Sequence, residues 1–160
     1  MKVCLIGSTR FREEFVEVNQ ELTRRGHLVY SVAFYKEPTK VDEHTKEVLD
    51  LVHLRKITES DVVVLITDKE GYIGDSTRRE LIWACLEKKE IVPVRYGPEG
   101  LDLPDFSSLG HDSWAFNDEL VRSLRETKSL WKSTEELMNR RGEEEDEEEN
   151  PENSDQPQAH

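Results

Sequence analysis

The segment VCLIGSTRF, residues 3–11, is a short apolar run that ends at a glycine and leads directly into a helical pattern. Four consecutive apolar residues favour a strand that is buried on both faces, as in a parallel sheet. The next segment, 11–22, has four apolar residues at helical spacing, and Gly26 follows as a typical helix stop. The start of the chain therefore predicts a buried strand followed by a helix.

The same alternation continues along the chain. The pattern predicts a strand from His27, a helix from about Asp42 to Thr58, a strand at 62–66, a helix from about Ser76 to Lys88, a strand at 91–94, a short strand at 114–116 and a helix from Asp118 to Arg140. Alternating strands and helices indicate an α/β domain with a doubly wound parallel sheet. We expect about five strands in the flavodoxin-like order 2-1-3-4-5, with Pro93 at an edge position or at the end of a strand.

Length and charge define one domain and a tail. The 160 residues suit a single domain, predicted to span 1–140. The net charge of -13 is concentrated in 143–160, which holds nine acidic residues and no Lys or Arg, so that 1–142 keep a charge of only -4. A self-repelling segment without apolar anchors predicts a disordered acidic tail at 141–160.

Cysteine use and hydropathy restrict the class of protein further. Cys4 and Cys85 lie in apolar segments, with neither a CxxC motif nor a Cys/His cluster at zinc-binding spacing. We therefore expect no metal and no cofactor. No apolar run approaches the length of a membrane-spanning helix, so the expected location is the cytoplasm.

The predicted topology brings two loops together, GSTRF at 7–11 and TDKEGYIGDST at 67–77. Loops after the first and third strands of such a sheet flank its usual binding crevice. Gly7, Ser8 and Arg10 could hold an anion at the start of the first helix, or Ser8 and Thr9 could simply cap that helix. The sequence has no GxGxxG and no GxxxxGK[ST], which argues against an ordinary dinucleotide site or a nucleoside triphosphatase.

Glu80 has two interpretations. Thr77 and Glu80 match the T-x-x-E capping box, which needs no ligand. If Asp75 or Ser76 is the true cap, Glu80 falls beyond the box and faces the crevice, where a carboxylate can act as a nucleophile or a base.

Other residues near the loop are also ambiguous. Asp68 and Asp75 suit either a ligand or turn chemistry. Tyr72 is a candidate wall for a planar ring, with Gly74 allowing close backbone approach. His53, on the second predicted helix, is expected to have a minor supporting role at most.

Together, GSTRF, the SD before the third strand, and the glycine-rich loop leading to Ser76 and ELIWA at 80–84 resemble the nucleoside 2-deoxyribosyltransferase-like superfamily, over residues 3 to about 95. That superfamily includes 2'-deoxynucleoside 5'-monophosphate N-glycosidases. The resemblance implies that Glu80 is the nucleophile and that Asp68 contacts the leaving base. It also implies that Gly7, Ser8, Arg10 and Ser76 surround the 5' end of the sugar, with Arg10 and Ser76 suited to a 5'-phosphate.

The implied activity is cleavage or transfer of an N-glycosidic bond in a nucleoside or nucleotide through a glycosyl-enzyme intermediate. We expect Arg78, Arg79 and the helix N-terminus to keep Glu80 ionised. The implied partner is a small-molecule substrate rather than nucleic acid or a membrane, and a homodimer is expected by resemblance alone. Two alternatives remain: a non-catalytic nucleotide- or ADP-ribose-binding module, and an NAD glycohydrolase-like enzyme.

Overall fold

The computed structural model describes residues 1–34, 36, 41–103, 106 and 113–149, without the side chains of 113–117 and 145–149. The elements follow one another as β1 (Lys2–Gly7), α1 (Arg12–Arg24), β2 (Leu28–Tyr30), α2 (Glu43–Glu59), β3 (Val62–Ile66), α3 (Asp75–Leu86), β4 (Glu90–Pro93), β5 (Arg95–Gly97), β6 (Gly100–Asp102), α4 (Ser113–Glu126) and α5 (Lys128–Glu149).

The main sheet has four parallel strands in the order β2-β1-β3-β4. This confirms the predicted α/β class and the first four positions of the predicted strand order. Pro93 lies in the outer strand β4 opposite Leu65, where its missing N–H costs no ladder bond toward a further strand.

Alternation along the central strands builds two cores, one on each face of the sheet. Cys4 and Ile6 of β1 join a core made with α2, α3 and α4. Val3 and Leu5 point to the opposite face and join a core formed with α1. Because both faces are covered, β1 and β3 are buried along almost their whole length, as a continuous apolar run predicts.

The fifth strand expected at 114–116 is wrong, because these residues lie in α4. The helix runs through Asn117 and Asp118 to Leu120 and Leu124, which join the core that contains α3. A two-stranded antiparallel ribbon, β5–β6, follows β4 instead. Within the described residues the parallel sheet thus ends at β4.

The predicted tail is described only in part. α5 continues through Gly142 and the acidic run to Glu149, beyond the expected boundary at 140, whereas 150–160 lie outside the described residues. Glutamate has a good helix propensity, which favours continuation once the helix is anchored upstream. None of the described helices is long and apolar enough to cross a bilayer.

Candidate functional site

A cleft of about 730 Å³ lies at the carboxyl ends of β1 and β3, where α1 and α3 leave toward opposite faces of the sheet. Its walls are the β1–α1 turn, the chain after β2, one side of α2 and the loop into α3. Small-molecule sites typically have volumes of roughly 300–1,000 Å³. Most of the predicted site residues line this cleft: Gly7, Ser8, Tyr72, Gly74, Asp75, Ser76 and Glu80.

The β1–α1 turn is shaped by a close backbone approach at Gly7. Its φ of +151° and its register opposite Ile66 would place a Cβ only 2.5 Å from the Ile66 carbonyl oxygen. The N-cap of α1 is Phe11, without a side-chain cap bond, and the Ser8 hydroxyl accepts a bond from the Arg10 amide at 3.4 Å. Ser8 and Thr9 therefore do not cap α1, and both line the cleft.

The loop into α3 excludes the capping-box interpretation of Glu80. α3 begins at Asp75 with Gly74 as its cap, so Thr77 is the third helical residue and is buried. Glu80 lies in the second turn of the helix, too far along to reach the cap. It belongs to the cleft wall instead.

Glu80 faces His53 of α2 inside the protein. The distance from Glu80 Oε1 to His53 Nε2 is 3.7 Å, and the two side chains are 13% and 7% exposed. α2 is capped by Asp42, whose carboxylate accepts a hydrogen bond from the Thr45 amide at 2.8 Å. With the helix starting at this position, the side chains of His53, Leu54 and Ile57 face the core. His53 therefore lines the cleft beside Glu80.

Burial moves both side chains toward their neutral forms. Desolvation raises the pKa of Glu80 to about 8, helped by the Asp50 carboxylate and opposed by the Gly7 amide. Desolvation lowers the pKa of His53 to about 4, helped by Lys56 and opposed by the Leu5 carbonyl. The expectation that Arg78, Arg79 and the helix N-terminus hold Glu80 ionised is wrong in the free protein, because desolvation has the larger effect.

Tyr72 is fixed at the rim by two partners from the first loop. The Arg10 guanidinium lies 4.1 Å from the centre of its ring and donates to its hydroxyl at 3.2 Å. Phe11, itself in the core, meets the same ring edge-on at 6.2 Å. The two loops are therefore in direct contact, as the predicted topology requires.

Asp68 and Arg10 do not line the cleft as the structure describes it. The Asp68 carboxylate accepts a bond from the Tyr72 amide at 2.9 Å, which is the turn chemistry considered as its alternative. Arg12, which the sequence analysis did not select, lines the cleft and lies over the Phe34 ring. The described residues contain no cluster of His, Cys, Asp and Glu suited to holding a metal ion.

No family model and no curated protein matches the chain. Among solved structures, the chain is similar to a 2-deoxyribosyltransferase from the psychrotolerant bacterium Bacillus psychrosaccharolyticus. The sequence identity is 17% and the TM-score is 0.45, over 67% of this chain and 79% of that chain.

Proposed function

We propose that this protein is an enzyme that cleaves or transfers the N-glycosidic bond of nucleosides or nucleoside 5'-monophosphates, with Glu80 as its nucleophile. The observation that carries this proposal is a carboxyl group buried in the wall of a cleft at the switch point of the sheet, beside the β1–α1 turn. A buried carboxyl without a salt-bridge cation is costly, which favours a chemical role over a structural one.

The chemistry follows the logic of a retaining glycosidase. The Glu80 carboxylate bonds to the anomeric carbon while the carbon–nitrogen bond breaks and its electron pair leaves with the base. A water molecule then attacks the same carbon, the bond to Glu80 breaks and returns its electron pair to the carboxylate, and the proton lost by the water passes to the departed base, which gives hydrolysis. A second base as the attacking group gives transfer instead.

Two features of the cleft support a sugar with an anionic 5' end. The first turn of α3 has no side-chain cap, so its amides are open to a ligand, and Ser76 lies in that turn. Ser8 and Thr9 supply hydroxyls from the facing turn, and Arg12 supplies a positive charge. Because Arg10 packs on Tyr72, its expected contact with a 5'-phosphate stays a prediction that the geometry does not favour.

Release of free base is the direct test. The protein is incubated with deoxynucleosides, their 5'-monophosphates and NAD, and the bases are separated by chromatography. Parent protein should release base, whereas Glu80→Gln should lose on the order of 10³-fold or more in rate, as is usual for a nucleophile. Glu59→Gln, at an exposed site near the end of α2, is the matched control and should keep parent activity.

A covalent intermediate provides a second readout. Intact-mass spectrometry of acid-quenched reactions should show a glycosyl adduct on the parent and none on Glu80→Gln. Equal base release by parent and Glu80→Gln would refute the proposal.

The raised pKa of Glu80 favours a second candidate, a nucleotide-binding module without turnover, because a protonated carboxyl is a poor nucleophile. Calorimetric binding of a monophosphate without any base release would identify that function.

A further inference from the structure

Three buried polar atoms without hydrogen-bond partners lie together at the side of the cleft. They are Nδ1 and Nε2 of His53 and Oε2 of Glu80, and no described residue bonds to them. Buried polar atoms in proteins almost always have partners, so a group of three in one place needs an explanation. Because both side chains line the cleft, a ligand that enters it can supply the missing partners.

We propose that His53 is a positioning residue that takes the proton from the Glu80 carboxyl and so creates the carboxylate that attacks the sugar. This inference rests on the proposed function, which requires an ionised Glu80. The proton moves from Glu80 Oε1 to His53 Nε2. The carboxylate electrons are then free to bond to the anomeric carbon.

Geometry allows the transfer after a small movement. The present Oε1–Nε2 distance of 3.7 Å is slightly longer than the roughly 2.7–3.2 Å of a hydrogen bond. Neither ring nitrogen has a partner at full hydrogen-bond geometry among the described residues, and the Leu5 carbonyl favours a proton on the ring, so His53 keeps an acceptor for the Glu80 proton.

Net charge explains why a histidine suits this position. Burial favours the uncharged form of each side chain, so the free pair holds a single proton on Glu80. Moving that proton to His53 changes the net charge of the pair by zero. The nucleophile can thus form inside a closed cleft without releasing a proton to solvent.

Other ionisable and polar groups surround the pair on every side. From α2, Asp50 raises the pKa of Glu80 and Lys56 lowers the pKa of His53. From β1, the buried Cys4 thiol, with its pKa raised to about 12, stays neutral beside them. The Gly7 amide opposes the rise in the pKa of Glu80, and the Leu5 carbonyl opposes the fall in the pKa of His53. Asp75 lines the same cleft. Lys56 is held away by a 2.8 Å bond to the Ser31 carbonyl, so it does not replace His53 as the partner of Glu80.

The first experiment follows the proton by ¹⁵N NMR of histidine-labelled protein. The chain has five histidines, and His53 is assigned from the signal missing in His53→Gln. At pH 6.5 with 2'-deoxyuridine 5'-monophosphate added to the parent, the His53 signals should move toward imidazolium values. In Glu80→Gln they should stay at neutral values, because glutamine has no proton to give. Identical His53 signals in the two proteins would overturn the proposal.

The second experiment compares pH–rate profiles of base release. Between pH 5.5 and 7.5 the parent rate should be nearly flat, because the active pair keeps its proton internally. His53→Gln must lose the Glu80 proton to solvent, so its rate should rise about tenfold per pH unit over this range. Equal slopes in the two proteins would overturn the proposal, since a histidine that only packs the core does not change the slope.

The two experiments separate the inference from the function on which it rests. If the parent releases no base, the proposed function fails, and the NMR comparison still decides whether His53 receives the Glu80 proton. That comparison is made between the parent and Glu80→Gln, and His53→Gln serves only to assign the His53 signal.

Discussion

Replacing Glu80 by glutamine should stabilise the fold, and the gain should be larger at pH 8 than at pH 5. In the parent, the Glu80 carboxyl is buried and its pKa is raised from 4.5 to about 8 by desolvation. The carboxyl therefore ionises at a lower pH in the unfolded chain than in the folded protein. As pH rises above 4.5, the folded state binds more protons than the unfolded state, so stability falls until pH passes about 8.

The size of the effect follows from this interval. One pKa unit corresponds to about 1.4 kcal/mol, so between pH 5 and pH 8 the parent should lose about 3 kcal/mol relative to Glu80→Gln, after allowance for partial titration at both ends. His53 acts in the opposite sense, because its pKa is lowered from 6.5 to about 4, and it adds stability as pH rises through that range. Both proteins keep His53, and the desolvation and Lys56 that lower its pKa are unchanged by the substitution, so the difference between them reports mainly on Glu80.

Urea denaturation at pH 5 and pH 8, followed by circular dichroism, measures the difference. Glu59→Gln, which removes an exposed carboxyl, is the control for a change of surface charge. If the gap in unfolding free energy between parent and Glu80→Gln is the same at both pH values, Glu80 is not held protonated in the fold. His53 would then have no Glu80 proton to receive in the free protein.

Two further predictions concern the framework of the site. Gly7→Ala should lower the urea midpoint by the equivalent of about 1–3 kcal/mol of unfolding free energy, because its Cβ would lie 2.5 Å from the Ile66 carbonyl oxygen. Gly142→Ala is the control, because open space surrounds that position, and equal midpoints for the two variants would contradict the tight turn. Thr58→Val should cost about 1–3 kcal/mol, because the buried Trp83 indole N–H donates to the Thr58 hydroxyl at 3.0 Å and would lose its acceptor. The same substitution should cost less in a Trp83→Phe background, and an unchanged cost there would show that the indole bond is not the cause.

The central fold was predictable because its pattern is local. The apolar runs of β1 and β3, and the helical spacing that ends at Gly26, each specify one element without help from the rest of the chain. Parallel order then follows from the alternation of strands and helices. The prediction of a strand at 114–116 was wrong because a local pattern of three apolar residues fits a short strand as well as the first turn of a helix.

The site was less predictable because it depends on contacts between distant residues. Glu80 could be selected from its motif, but the cap at Gly74, which places it in the cleft wall, could not. The role of Asp68 could not be decided from the sequence, because a carboxylate after a strand suits a turn as well as a ligand; in the structure it accepts a bond from the Tyr72 amide. His53 carried one usable signal: it shares a helical face with Leu54 and Ile57, which predicts burial.

The outer strands of the parallel sheet limit how the molecule can meet other chains. Within the described residues, β2 is three residues long and β4 is four, and Pro93 removes one backbone donor from β4. An incoming strand from another copy would find few consecutive groups to pair with on either flank. The two short edge strands therefore oppose aggregation by strand addition, although the interior strands are among the most apolar segments of the chain.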